Sequence, residues 1–177
     1  MVRSAAVLMG LLMLSGCATL SEDQCLAGDW TRIGFQDGSK GRGLSIFDKH
    51  TEACAEYGIA PQKSAWLTGR EQGLRVYCTP NNAYKIGRRG TQIAPYCRPD
   101  EEIAMAPAYE HGRRYYEISR DIAELRREED RLIDEAANAG DGEGGVRLAR
   151  SLRGSLSFLR LDILRLETRL IRYSTWP

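Results

Sequence analysis

Trp30-Thr31-Arg32-Ile33-Gly34-Phe35-Gln36-Asp37-Gly38 is the stretch on which the fold turns: an aromatic residue, then two spaced glycines. Trp66-x2-Gly69-x3-Gly73 and Tyr84-x2-Gly87-x2-Gly90 repeat the arrangement. A glycine inside a helix costs about 1 kcal/mol relative to alanine, so Gly34, Gly69 and Gly73 imply a compensating role. Close helix–helix approach, or room for a neighbouring ring, supplies one. The alternative use of the same surfaces is a small ligand or glycan lying over bare backbone beside Trp30, Trp66 and Tyr84. Three degenerate copies also hint at an internal repeat.

Helix signals surround these stretches. Ser21-Glu22-Asp23-Gln24 is a capping box, with Leu20 and Cys25 at staple positions, and it predicts a first helix over about 22–36. Gly38-Ser39-Lys40-Gly41-Arg42-Gly43 reads as a turn. A second helix is expected over about 45–57, capped by Ser45, with Phe47, His50, Cys54 and Tyr57 on one face. Gly58 ends it and Pro61 prevents continuation. A third helix is expected over about 62–77. Thr79-Pro80 starts a fourth, with Thr as cap and Pro at the first helical position, ending at Gly87.

Upstream, Arg3 precedes an apolar run from Ala5 to Leu14 that is interrupted only by Gly10. A stable span takes about 20 apolar residues, so this is the pattern of a secretory signal. Leu14-Ser15-Gly16-Cys17 looks like the lipobox of bacterial lipoproteins. That resemblance implies cleavage after residue 16, lipidation of Cys17 and a membrane anchor. Residue 18 is Ala rather than Asp, which by resemblance to enterobacterial sorting implies the outer membrane over the inner one. The resemblance does not give the side, and the periplasmic side is expected ahead of the cell surface. The expected segments are a signal over 1–16, a Cys/Gly-rich helical domain over 17–99 and a helical hairpin over 100–177.

The chain has 177 residues and a formal net charge of +1. Without Arg3 the balance is zero, which gives no reason to expect nucleic acid. Cys25, Cys54, Cys78 and Cys97 in an exported chain read as two disulfides.

The cysteine-rich half resembles a family of proteobacterial lipoproteins, domain of unknown function 2799 (DUF2799). The resemblance rests on Cys25-x3-Asp29-Trp30-x2-Ile33-Gly34-x2-Asp37-Gly38, His50-x3-Cys54, Gly58-x2-Pro61, Gly69-x3-Gly73-Leu74-x2-Tyr77-Cys78, and Gly87-x2-Gly90 before Cys97. It implies a secreted, lipid-anchored domain with no assigned activity or catalytic residues. Trp66 stands where the family usually has Tyr. Four cysteines allow three connectivities. Two helices joined by a short turn run antiparallel, which brings Cys25 near Cys54 and leaves Cys78 for Cys97.

From about residue 100 cysteine vanishes. Tyr115, Ile118, Ile122, Leu125, Leu132 and Ala136 follow a 3–4 alternation, with Glu129 as the polar occupant, expected to reach solvent. Ala149, Leu152, Leu156, Leu159, Ile163, Leu166, Leu170 and Tyr173 keep the same alternation without a break, which is a coiled-coil seam. Residues 100–138 hold six Arg and twelve acids, whereas 146–172 hold seven Arg and two acids. Opposite charge favours pairing of the two runs into an antiparallel hairpin with a glycine-rich turn over about 139–145. The competing reading lays 152–173 on a membrane as a basic amphipathic helix.

Other motifs give no chemistry. His50 and Cys54 stand at a spacing that suits a metal, but a disulfide at Cys54 removes the ligand. His111 has no partner at ligand spacing. The glycine loop over 38–43 lacks the order of a nucleotide loop. Lys85, Arg88, Arg89 and Arg98 form a basic cluster suited to lipid phosphates or an acidic partner. Asp29 and Asp37 pair with no base or nucleophile; capping, or a bond to the Trp30 ring N–H, accounts for them. The expectation is an all-α, non-enzymatic envelope lipoprotein without cofactor or metal, which binds an envelope protein through its hairpin. The alternative is a small-ligand or glycan-binding module.

Overall fold

The computed structural model describes residues 19–177, so the signal expected over 1–16 and the lipidation expected at Cys17 lie outside the described residues. Seven helices and no strand make up the described part. They are α1 (Glu22–Ala27), α2 (Trp30–Ser39), α3 (Ser45–Ala55), α4 (Lys63–Tyr77), α5 (Pro80–Arg88), α6 (Pro99–Ala137) and α7 (Glu143–Arg172).

The single first helix expected over 22–36 is two helices. The Ser21–Gln24 capping box forms, but Gly28 takes a left-handed conformation (φ +63°) and stops α1. Asp29 then caps α2 by accepting from the Arg32 amide at 3.0 Å. Because α2 runs on to Ser39, Gly38 lies inside it rather than in a turn. Ser45 does not cap α3; Leu44 occupies that position without a side-chain bond. Thr79 does cap α5, accepting from the Asn82 amide at 3.4 Å. Gly87 does not end α5, because its bare face is needed inside the helix, and Gly90 (φ +70°) makes the turn instead.

Glycines set the packing. A Cβ on Gly34 would overlap the Trp66 carbonyl, and one on Gly38 the Arg70 carbonyl. Reciprocally, a Cβ on Gly69 would overlap the Thr31 carbonyl, and one on Gly73 the Phe35 carbonyl. Register advances together along both chains, so α2 and α4 run parallel, backbone on backbone. Two small-x3-small faces permit this approach. The main partner of α2 is therefore α4, not α3, although the expected Cys25–Cys54 disulfide does form, with Cα atoms 5.5 Å apart. Leu20, Ile33, Phe47 and Trp66 pack around it.

The contact between α5 and α6 has the same design. Gly87 meets the Tyr109 carbonyl, and Gly112 meets the Tyr84 carbonyl. The correspondence extends well beyond the glycines. After α2, Gly41 is left-handed and lies against the Tyr77 ring; after α5, Gly90 is left-handed and lies against the Tyr116 ring. The Arg42 amide donates to the Asp37 carbonyl at 2.9 Å, as Thr91 does to Ile86 at 3.3 Å. The Arg70 guanidinium donates to the Arg42 carbonyl at 2.8 Å, and the Tyr109 hydroxyl to the Thr91 carbonyl at 3.2 Å. Trp66 and Met105 occupy the same place, each 0% exposed. The internal repeat is thus a helix pair present twice, α2 with α4 and α5 with the start of α6. It is not the single helix present three times that the aromatic–glycine pattern suggests.

This moves the expected boundary at residue 99/100. The first half of α6 belongs to the second helix pair, where Met105 and Ala108 pack with Tyr77, Ala83, Tyr84 and Ile86 beside the Cys78–Cys97 disulfide. Only the second half of α6 joins the hairpin. There Ile118, Ile122 and Ile163 are buried, with Leu125, Leu159, Leu166, Leu170 and Tyr173 against them. Glu129 does not turn to solvent; it is only 22% exposed and takes the Arg160 guanidinium at 2.6 Å. Arg126 pairs with Glu167 in the same way, also at 2.6 Å. The charge asymmetry of the two runs is expressed as these cross-hairpin bonds.

Gly69→Ala should therefore destabilise the fold by about 3 kcal/mol, since backbone must move to admit the methyl. Gly154→Ala, where an added Cβ meets nothing within 4 Å, should stabilise by up to about 1 kcal/mol. Urea unfolding of both variants checks the pair; equal and small effects would refute backbone contact at Gly69. Reduction of both disulfides should lower stability by roughly 3 kcal/mol for each loop, measured by thermal unfolding with and without reductant.

Candidate functional site

At the crossing of α2 and α4 lies a buried carboxylate. Asp37 is 3% exposed. Its Oδ2 accepts from the Trp66 ring N–H at 2.9 Å and from His50 Nε2 at 2.8 Å. Its Oδ1 accepts from Arg42 at 3.1 Å. His50, 1% exposed, uses its other ring nitrogen with Thr19 Oγ1 at 2.8 Å. The Asp37 partner is therefore the Trp66 ring and not that of Trp30. Burial by itself raises the Asp37 carboxyl. The hydrogen bonds from His50 and Trp66, with the attraction of His50 and Arg42, outweigh burial and hold it below its ordinary value.

The second helix pair serves as an internal comparison. Ile86 stands at the position of Asp37 and Met105 at that of Trp66, both buried. The scaffold closes with apolar side chains there, so the charged centre is an addition peculiar to the first pair. Its outermost member is Thr19, the first described residue. The Thr–His–Asp order resembles a catalytic relay, but His50 has both ring nitrogens bonded and faces no solvent. The arrangement clasps the chain entering α1 to the core.

The aromatic residues marked for a ligand are interior. Trp30, Trp66 and Tyr84 are buried, and their glycine faces are covered by neighbouring helix backbone. This corrects the expectation of a glycan-binding surface. Arg88 is committed: it lies 3.9 Å over the Tyr115 ring and donates to the Ser174 carbonyl at 3.1 Å. Arg89 is exposed at the end of α5. His111, given no role by spacing, sits between Tyr84, Tyr173 and Trp176, and its Nε2–H donates to the Thr175 carbonyl at 3.0 Å. The Tyr84 hydroxyl donates to the Tyr173 carbonyl at 2.8 Å. These contacts pin the C-terminal tail onto the second helix pair. Sequence reasoning missed Thr19, Trp176 and this cluster, whose partners lie far apart in the chain.

The third feature is the outer side of α7. Its seam face is buried, yet Phe158 (73% exposed), Leu161, Leu164 and Ile171 (72% exposed) stand on the opposite side. The helix thus has two apolar faces, and only one of them is covered by α6.

Asp37→Ala should cost about 3–5 kcal/mol, because two buried donors, His50 and the Trp66 ring N–H, lose their acceptor and Arg42 loses its ion-pair partner. The linkage with pH has a definite sign. A folded-state value below the ordinary 3.8 makes the Asp37 contribution fully present above about pH 4. It is lost as pH falls through the lowered value. Asp37→Asn should therefore flatten the acid limb of the stability–pH curve, read by denaturant titration between pH 2 and 6; an unchanged limb would exclude the carboxylate as its source.

No curated protein and no solved structure matches this chain. Residues 29–114 match the model of a family described as a protein of unknown function, DUF2799. The matched span opens at the Asp29 cap of α2 and closes just past Gly112, so it contains both glycine-packed helix pairs and stops before the hairpin. Over that span, 86 of its 177 residues, the chain is similar to the DUF2799 family.

Proposed function

We propose that the protein is a lipid-anchored component of the bacterial outer membrane with a mechanical, non-enzymatic role. In this reading Cys17 carries the lipid, and the helix pairs lie on the periplasmic side close to the membrane. The α6–α7 rod extends from them to meet a further envelope component. One observation carries the reading: a rod whose seam is already filled by its own partner helix still displays Phe158, Leu161, Leu164 and Ile171 to solvent. Large apolar side chains grouped on one face mark an interaction surface. The buried centre supports a structural role, since Asp37 and His50 are fully engaged in holding Thr19. Thr19 is two residues from Cys17, at most about 7 Å of extended chain, so the domain has almost no tether.

Intact mass of protein extracted from membranes tests the anchor. The expected mature chain begins at Cys17 and carries acyl groups; an unmodified Cys17 would remove the anchor from the proposal. Photo-crosslinkers placed at Phe158 and Leu161 in cells should capture a neighbour, whereas one at the buried Leu156 should not. Equal silence at all three positions would refute the interaction role.

A further inference from the structure

We infer that the outward face of α7 lies on an anionic phospholipid surface. This deepens the reading of the rod by naming what it meets.

The argument starts from the distribution of charge around α7. At 3.6 residues per turn, the seam face holds Leu152, Leu156, Leu159, Ile163, Leu166 and Leu170. The opposite half then receives Phe158, Leu161, Leu164 and Ile171. The same half receives Arg147, Arg150, Arg153, Arg165, Arg169 and Arg172, all of them exposed. From residue 146 onward it holds no acid. Asp162 and Glu167 fall at its edges, and both are engaged, with Arg165 at 2.9 Å and with Arg126 at 2.6 Å. Among the described residues, Arg147, Arg150, Arg153, Arg169 and Arg172 have no ion-pair partner. An apolar strip bordered by unpaired arginines matches the boundary between acyl chains and anionic headgroups.

A helical protein partner fits less well. The seam that receives α6 keeps an unbroken 3–4 alternation from Ala149 to Tyr173. The outer strip does not. Phe158, Leu161 and Leu164 step by three, and Thr168 stands between Leu164 and Ile171, while Gly154 and Ser157 replace large side chains towards the turn. Knobs-into-holes packing requires the sustained alternation, whereas a bilayer requires only apolar area and positive charge. A second copy offers no better match. Its acidic helix α6 has spent its apolar stripe on its own seam and exposes only Ile103 and Ile133 among its large aliphatic residues. The hairpin and the membrane-lying helix, alternatives at the level of sequence, are thus compatible: each uses a different face of α7.

The test uses residues 19–177, which lack both signal and Cys17, so it is independent of the anchor. Phe158→Trp supplies a reporter on the strip. With vesicles about one-third phosphatidylglycerol in phosphatidylcholine, the chain should co-sediment and the reporter emission should shift to the blue. With phosphatidylcholine alone, binding should be at least about tenfold weaker. Leu161→Ser with Leu164→Ser, and separately Arg147, Arg150 and Arg153 to Gln, should each reduce binding by roughly tenfold or more. Both sets are exposed, and far-UV circular dichroism confirms that the variants fold. No binding to anionic vesicles, or binding unchanged in both variant sets, would overturn the inference. If cellular crosslinks at Phe158 then report a protein, the interaction role stands and the lipid assignment alone falls.

Discussion

Backbone contact between α2 and α4 is the constraint on which the rest depends. Four glycines remove the side chains that would hold the two helices apart, and carbonyl oxygens take the vacated space. The approach brings the Trp66 ring over Asp37, sets Arg70 beneath the loop after α2, and places Tyr77 against Gly41. The chain then makes the same crossing again with α5 and α6, so a short sequence obtains two small cores from one packing solution. Each core is closed by a disulfide. Small cores bury a limited fraction of their surface, and constraint of the unfolded chain contributes where apolar burial is limited.

The duplicated pair explains why the charged centre stands out. A buried carboxylate with three donors is weak evidence for stability, since an apolar set of similar volume performs as well or better. The second pair contains that apolar solution, Ile86 with Met105. What Asp37 and His50 add is a bond to Thr19, at the point where the chain enters the fold. The centre is best understood as a fixture for that entry point, held charged by its own hydrogen bonds.

Much of this was legible in the sequence, and the failures have physical causes. The hairpin seam was readable because coiled-coil packing depends on local periodicity: each residue from Tyr115 to Ala136 and from Ala149 to Tyr173 declares its face by its spacing. The Ser21 and Thr79 caps were readable for the same reason. The Gly28 break was not, because a glycine within a helical run carries no sign of whether it will be helical or left-handed. The cysteine pairing came out as expected even though α2 packs chiefly on α4, since the two ends to be joined were still close. The Asp37–His50–Thr19 centre joins residues from three separate segments and follows no period. The repeat was misread because its equivalences lie in carbonyl and ring contacts, Gly41 with Tyr77 and Gly90 with Tyr116, and not in the aromatic residues that look alike.

Continuity of α6 has a mechanical consequence. At 39 residues it is about 58 Å long. Its first half is bolted to α5, its second half to α7, and no loop separates the two. A joint would let the rod swing freely on the domain. A single uninterrupted helix makes the two parts one lever, and the tail carrying Trp176 braces it by returning from the end of α7 to the fulcrum. Force applied at the glycine turn is therefore delivered along one continuous helix to the second helix pair, with no loop between rod and domain.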